Sequence, residues 1–319
     1  MTSMILKPLS SLRSSIRRAA LCKLCAGMVG ASVFIGASVF VGASVFVGAS
    51  VFVGASALAQ EAALAPPAAT TQADEDTAAS KVDADAAKSD RPKPVELPRK
   101  SYLGRVLARP MSHKASPWLI RENREEEERT SVSFKQLKLT EGMTVCDLGC
   151  GNGYWTLPMA RDVGATGKVL AVDIQPEMLK KLQTRAARVK MENIKPILGD
   201  VDNPNLPTGE VDLLLMVDVY HEFSQPESML WEIRNSLKPK GVVALLEYRE
   251  EDPKVPIKPL HKMSKRQVMK EYEKNGFKLV REFNKLPWQH LMFFARDDSP
   301  LEKIDPVPAK DVLEDLKAK

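Results

Sequence analysis

Nine residues constrain this chain more than any others: Val145-Cys146-Asp147-Leu148-Gly149-Cys150-Gly151-Asn152-Gly153. A short apolar run that breaks into a glycine-rich turn predicts a buried parallel strand, a tight loop and then a helix carrying Trp155, Leu157 and Met159. Glycines at 149, 151 and 153 let the backbone bend sharply, and they let a ligand approach the main chain with no Cβ between. A second apolar run, Val169-Leu170-Ala171-Val172, ends in Asp173. A carboxylate at the tip of the second strand is placed to accept both ribose hydroxyls of a nucleoside lying over the loop. A dinucleotide fingerprint would need glycine or alanine three residues after Gly151, and that position holds Tyr154.

Downstream the pattern alternates. Helices are expected over 175–190, 227–237 and 264–275, and strands over 194–198, 211–217 and 242–247. A closing antiparallel pair is expected over 277–283 and 288–295. Val211 to Val217 is so apolar that both of its faces must be covered. Strands alternating with helices argue for an open, doubly wound α/β sheet that binds its ligand at the carboxyl ends of the strands, near the switch point. Residues 299–319 read as a polar tail with one short helix.

With these motifs in place, residues 143–297 resemble the class I S-adenosylmethionine-dependent methyltransferases, in particular the broad group that includes ubiquinone-type C-methyltransferases. The resemblance implies a Rossmann-like methyltransferase fold, a mostly parallel seven-stranded sheet with an antiparallel closing strand. It also implies S-adenosylmethionine as cofactor. Its first motif falls on Val145 to Gly153, which assigns cofactor contacts to Asp147, Gly149, Cys150, Gly151, Asn152 and Gly153. Its ribose-binding acid falls on Asp173, followed by Ile174. Its adenine-contacting acid falls on Asp200, followed by Val201, and its fourth-strand motif ends at Asp218. The resemblance identifies the cofactor and leaves the acceptor open, with a small molecule expected.

The acceptor side is expected where the fourth strand ends, at Asp218-Val219-Tyr220-His221-Glu222-Phe223. Methyl transfer from a sulfonium is an in-line displacement, so the protein must hold the accepting atom against the methyl carbon. A base is needed only if that atom keeps its proton. Tyr220, His221 and Glu222 offer a phenol, an imidazole and a carboxylate for the task. The alternative is that His221 and Glu222 cap the next helix while Tyr220 packs in the core. The four histidines, His113, His221, His261 and His290, show no short-range ligand spacing, and no metal is expected. Arg249, Lys258, His261 and Lys262 follow the fifth strand, where they either meet an anionic acceptor or line a solvated loop.

Ahead of the first strand, Arg121 with Glu125 and Glu125 with Arg129 stand at helical i,i+4 spacing. This predicts a solvated helix packed ahead of the sheet. A second reading makes His113 and Trp118 part of a lid over the cofactor. Residues 60–100 are alanine, proline and mixed charge, a composition that reads as a disordered linker. Residues 1–59 contain Lys7, Arg13, Arg17, Arg18 and Lys23 and no acid. Those five account for the whole formal net charge of +5, so the remainder is neutral and basicity gives no ground for nucleic-acid binding. A basic start, an apolar stretch over 24–59 built on Ala-Ser-Val-Phe-Val-Gly repeats, and Ala57-Leu58-Ala59 together read as a signal peptide or membrane anchor. An exported or envelope-anchored protein is expected, in contact with the membrane if the segment is not cleaved; the alternative is cytoplasmic. The catalytic domain is expected over 101–298. Two other functions fit the glycine loop: a nucleoside-binding module without catalysis and, disfavoured by Tyr154, an NAD-dependent oxidoreductase.

Overall fold

The computed structural model describes residues 91–92 and 100–318. The expectations for the signal or anchor segment, and for nearly all of the linker, fall outside these residues. Among the described residues no helix is long and apolar enough to cross a membrane.

Two short helices, α1 (Arg124–Glu128) and α2 (Thr130–Gln136), precede the sheet. The alternating part runs β1 (Thr144–Leu148), α3 (Thr156–Val163), β2 (Lys168–Asp173), α4 (Pro176–Arg188), β3 (Ile194–Leu198) and β4 (Val211–Val217). It continues through α5 (Pro226–Ser236), β5 (Leu237–Tyr248), α6 (Lys265–Lys274), β6 (Phe277–Phe283), β7 (Gln289–Arg296) and α7 (Ala309–Lys317). The sheet order is β3-β2-β1-β4-β5-β7-β6, with β7 alone running opposite to the other six strands. This is the doubly wound, seven-stranded α/β sheet with an antiparallel closing strand that the alternation and the resemblance predict.

The central strands are mostly apolar because they are covered on both faces. On β4, Leu214 and Met216 pack with Leu230 and Ile233 of α5 and Val268 and Tyr272 of α6. Leu213 and Leu215 point the other way, onto Met159 and Val163 of α3. Successive residues of a strand face opposite sides, so a strand covered on both faces reads as a near-continuous apolar run. Chain order reverses direction between β1 and β4, where the carboxyl ends of neighbouring strands splay into a crevice.

Two stretches differ from expectation. The fifth strand begins at Leu237 rather than at Val242, and Leu237 pairs with Val211. Leu237 is already extended, with ψ 137°, and Pro239 two residues on keeps the helix from continuing, because the residue before a proline is pushed out of helical conformation. The polar tail is also less detached than its composition suggests. Ile304 packs on the core beside Leu279, and Val312 of α7 is buried.

Candidate functional site

The turn after β1 is tied down by β2. The amides of Gly149 and Cys150 both donate to the carbonyl of Val172, at 2.8 and 2.9 Å. The amide of Gly151 donates to Asp173 Oδ2, and that of Gln175 to Asp173 Oδ1, each at 2.9 Å. One carboxylate therefore shapes the glycine loop and starts α4 together. Burial raises the Asp173 pKa above the ordinary range despite these donors. Gly149 has φ +77°, and a Cβ there would stand 2.5 Å from Val219 Cγ2. Glycine is required at that position because the strand-end loops of β1 and β4 touch there.

A cavity of about 590 Å³ opens over the carboxyl ends of the strands. Of the residues expected at the cofactor, Gly149, Gly151, Asp173, Ile174, Asp200, Val201 and Asp218 line it. Asp147, Cys150, Asn152 and Gly153 do not line it; their contacts hold the loop in place. Asp147 Oδ2 accepts from Thr156 Oγ1 at 2.5 Å, and burial lifts its pKa to about 6. Asn152 Nδ2 donates to the Ser116 carbonyl, and Arg185 donates to the Asn152 carbonyl. Cys150 is a buried thiol. Gly153 makes room for Leu182 of α4.

A strap formed by residues 108–124 crosses the cavity. Met111, Ala115, Trp118 and Leu119 contribute to its wall. Gln175 Nε2 donates to the Met111 carbonyl at 2.8 Å, and Lys181 Nζ to the His113 carbonyl at 2.7 Å. On the opposite side the Met111 amide donates to Glu222 Oε1 at 3.1 Å. The strap therefore joins the β2 side of the cavity to the β4 side. Trp118 occupies a lid position; His113 does not, because its ring turns outward toward Glu177.

The helix expected to be solvated is half-buried instead. α1 buries Arg124 and Glu128, and its i,i+4 pair is Arg124 with Glu128. Glu128 accepts from Arg124 Nε at 2.9 Å, from Arg121, and from the Tyr248 hydroxyl at 2.7 Å. Glu125 instead caps α2, through Thr130 Oγ1 and the Ser131 amide. Arg124 and Tyr248 both face the cavity. Sequence reasoning passed over both, and only the reach of Arg124 toward a buried acid could have singled it out.

At the end of β4, Asp218 adopts φ 52°, a strained left-handed conformation for a residue with a side chain. Gln289 Nε2 donates to both of its carboxylate oxygens. Burial, reinforced by Glu128 and Glu247, pushes the Asp218 pKa well above the carboxylate range. The chain then makes a 3-10 turn, Tyr220–Glu222. Tyr220 is fully buried and turned away from the cavity: its hydroxyl donates to Glu271 Oε2 at 2.8 Å and its ring packs edge-on against Phe223 and Tyr272. The expectation that Tyr220 serves the acceptor is corrected accordingly; it is a core residue. His221 and Glu222 do not cap the next helix, because α5 begins at Pro226 with no side-chain cap.

His221 and Glu222 line the cavity, with His261 beside them from the turn after β5. His221 Nδ1 lies 2.7 Å from Oε2 of Glu247, which is fully buried on β5. His221 Nε2 lies 3.0 Å from His261 Nδ1. Burial alone would lower the His221 pKa, and the charge and hydrogen bond of Glu247 reverse this, leaving it raised. Burial raises Glu222 to about 7. Burial, then the neighbouring His221, lowers His261. Lys258 also reaches the cavity wall, whereas Arg249 is buried and donates to the carbonyls of Pro287 and Gln289. His290 pairs with Glu251 elsewhere.

Residues 139–310 match the family described as a methyltransferase domain, more than half of the chain. The chain belongs to that family. A demethylmenaquinone methyltransferase of Staphylococcus aureus is 30% identical over 114 residues, covering 36% of this chain and 46% of that protein. An arsenite methyltransferase of Halobacterium salinarum is 29% identical over 107 residues, covering 34% of this chain and 27% of that protein. The match thus spans less than half the length of these relatives. A crystal structure of a SAM-dependent methyltransferase from Aquifex aeolicus is 25% identical with a TM-score of 0.54, covering 58% of this chain and 98% of that one. The matched domain is a methyltransferase domain, a family whose cofactor is S-adenosylmethionine. The cavity suits that molecule: the acids Asp173 and Asp200 stand at successive strand ends, beside the apolar side chains of Ile174, Met178 and Val201.

Proposed function

We propose that this methyltransferase methylates a small molecule whose accepting atom lies where His221, Glu222 and His261 meet. The carrying observation is the 2.7 Å contact between His221 Nδ1 and the buried Glu247, with the other ring nitrogen directed to the cavity. A carboxylate behind an imidazole fixes its tautomer and orientation, which is what a group acting on a substrate proton or lone pair needs. S-adenosylmethionine supplies a methyl group on a positively charged sulfur. Asp173 would accept from the ribose hydroxyls, and Asp200 and Val201 would flank the adenine. The strap residues Met111, Trp118 and Leu119 would exclude water from above. His221 and Glu222 would hold the accepting group against the methyl carbon.

The test begins with calorimetry of S-adenosylmethionine, its demethylated product and NAD, followed by labelled-donor transfer onto fractionated metabolites. His221→Ala and Glu222→Gln are expected to lower turnover at least tenfold while the S-adenosylmethionine Kd stays within twofold. Normal turnover in both variants would return these residues to a structural role. For the amino-terminal segment, the basic start and the apolar repeats support an exported or envelope-anchored protein attached through residues 24–59. A phosphatase fused after Ala59 is expected to be active outside the cytoplasm; activity only inside would favour the cytoplasmic alternative.

A further inference from the structure

The corner beside β4 holds more ligating atoms than proton transfer requires. His221 and Glu222 come from the 3-10 turn after β4, and His261 from a separate turn, Pro259–His261. His221 Nε2 lies 3.0 Å from His261 Nδ1 and 3.9 Å from Glu222 Oε1, and His261 Nδ1 lies 3.8 Å from Glu222 Oε1. A triangle with these sides has one point about 2.1 Å from every corner, the bond length of a first-row divalent ion to imidazole nitrogen or carboxylate oxygen. Among the described residues this is the only group of three or more histidine, cysteine or acidic side chains close enough to share an ion.

The surroundings favour ligation over a simple hydrogen-bonded pair. Glu247 Oε2 at 2.7 Å holds a proton on His221 Nδ1, leaving the Nε2 lone pair aimed at the other two groups. Metal-bound imidazoles carry this second contact almost without exception, the far N–H donating to a carboxylate or carbonyl. The Glu247 carboxylate is also fixed from its other oxygen by the His221 amide at 3.2 Å. Glu222 is steadied by the Met111 amide, and His261 by its own amide donating to the Lys258 carbonyl at 2.9 Å. By contrast His290 and Glu251 form a pair with no third ligand among the described residues.

We propose that His221, Glu222 and His261 bind one divalent transition-metal ion whose remaining positions open onto the cavity and take a hydroxyl or thiol of the acceptor. Two imidazoles and one carboxylate suit zinc, iron(II), cobalt(II) or manganese(II) better than calcium or magnesium. An ion bound on three protein atoms keeps open positions, as substrate-binding sites do and closed structural sites do not. Coordination lowers the pKa of a bound hydroxyl or thiol. The acceptor proton is then released to solvent, and the freed lone pair forms the bond to the methyl carbon as the carbon–sulfur bond breaks and its electron pair stays on sulfur. No change of metal oxidation state is involved. The acceptor role rests on the reading that this corner takes the acceptor; the ion site itself does not.

The experiment uses the full chain carrying Cys22→Ser and Cys25→Ser, so that the amino-terminal thiols cannot compete, stripped with a chelator and titrated calorimetrically with zinc. One zinc per chain is expected. His261→Ala is expected to weaken it at least tenfold, and Glu247→Gln about 10–100-fold, as for other outer-shell carboxylates. Cobalt(II) should give visible absorption bands that His261→Ala abolishes. Absence of zinc binding, or a zinc affinity unchanged by His261→Ala, would overturn the site and leave a hydrogen-bonded relay. S-adenosylmethionine affinity, measured on the same samples, should stay within twofold in both variants. Its absence with zinc still bound would count against the cofactor assignment and not against the ion.

Discussion

Asp173→Asn isolates the charge of the residue that joins the glycine loop to the ribose site. The side chain keeps its shape, but one of its two oxygens becomes an amide nitrogen. Both oxygens currently accept a backbone N–H, from Gly151 and Gln175, each at 2.9 Å. Whichever way the amide is oriented, one of those donors meets another donor, and a buried donor without an acceptor costs about 1–3 kcal/mol of stability. The melting temperature should fall by several degrees for a domain of this size. Bonds from two ribose hydroxyls also change from charge-assisted to neutral, a loss of about 1–3 kcal/mol in all. The Kd for S-adenosylmethionine is therefore expected to rise about 5- to 150-fold. Isothermal calorimetry well below the melting transition measures it. A Kd within twofold of the parent, in a variant whose melting temperature has fallen as expected, would refute the ribose assignment and leave Asp173 as a loop fastener.

Three further outcomes follow from the buried polar groups. Tyr220→Phe removes a hydroxyl bonded to Glu271 on the side away from the cavity, so about 1 kcal/mol of stability should be lost with turnover unchanged. A tenfold drop in turnover would put Tyr220 back in the reaction. Asp147 has its folded pKa raised to about 6 by burial, so the folded state binds more protons than the unfolded chain between about pH 4 and 6. Its contribution to stability thus falls as pH rises through that window, and Asp147→Asn should flatten the fall and be more stable by up to about 3 kcal/mol above pH 7, in urea melts at several pH values. An equal pH slope in both proteins would contradict this. Glu128→Gln leaves Arg121 and Arg124 without their shared carboxylate and should cost about 3 kcal/mol by urea unfolding; a loss below 0.5 kcal/mol would show the network to be dispensable.

The legible parts of this molecule are those governed by local pattern. β1, β2 and β4 are mostly apolar because both faces are covered, and the glycines and Asp173 sit at strand ends where the chain turns over the sheet. Other features depend on partners far away in the chain. In the run from Glu125 to Glu128, helical spacing makes Glu125 the obvious partner for Arg121 and Arg129, yet Glu128 is the one buried, because Tyr248 reaches it from β5. Tyr220 and His221 are adjacent, and a single 3-10 turn sends one into the core and the other to the cavity. No periodicity forecasts that split. The grouping of His221 with His261 likewise arises because the turns after β4 and β5, two neighbouring parallel strands, open on the same end of the sheet.

The central claim is that one cavity holds the cofactor on its β2 side and presents the methyl group to the corner beside β4. A crystal structure with S-adenosylhomocysteine, the demethylated cofactor, tests both halves together. The ribose hydroxyls are expected on Asp173, the adenine beside Asp200 and Val201, and the sulfur with its free face toward His221, Glu222 and His261. A ligand bound with its sulfur directed away from that corner, or with its ribose off Asp173, would contradict it.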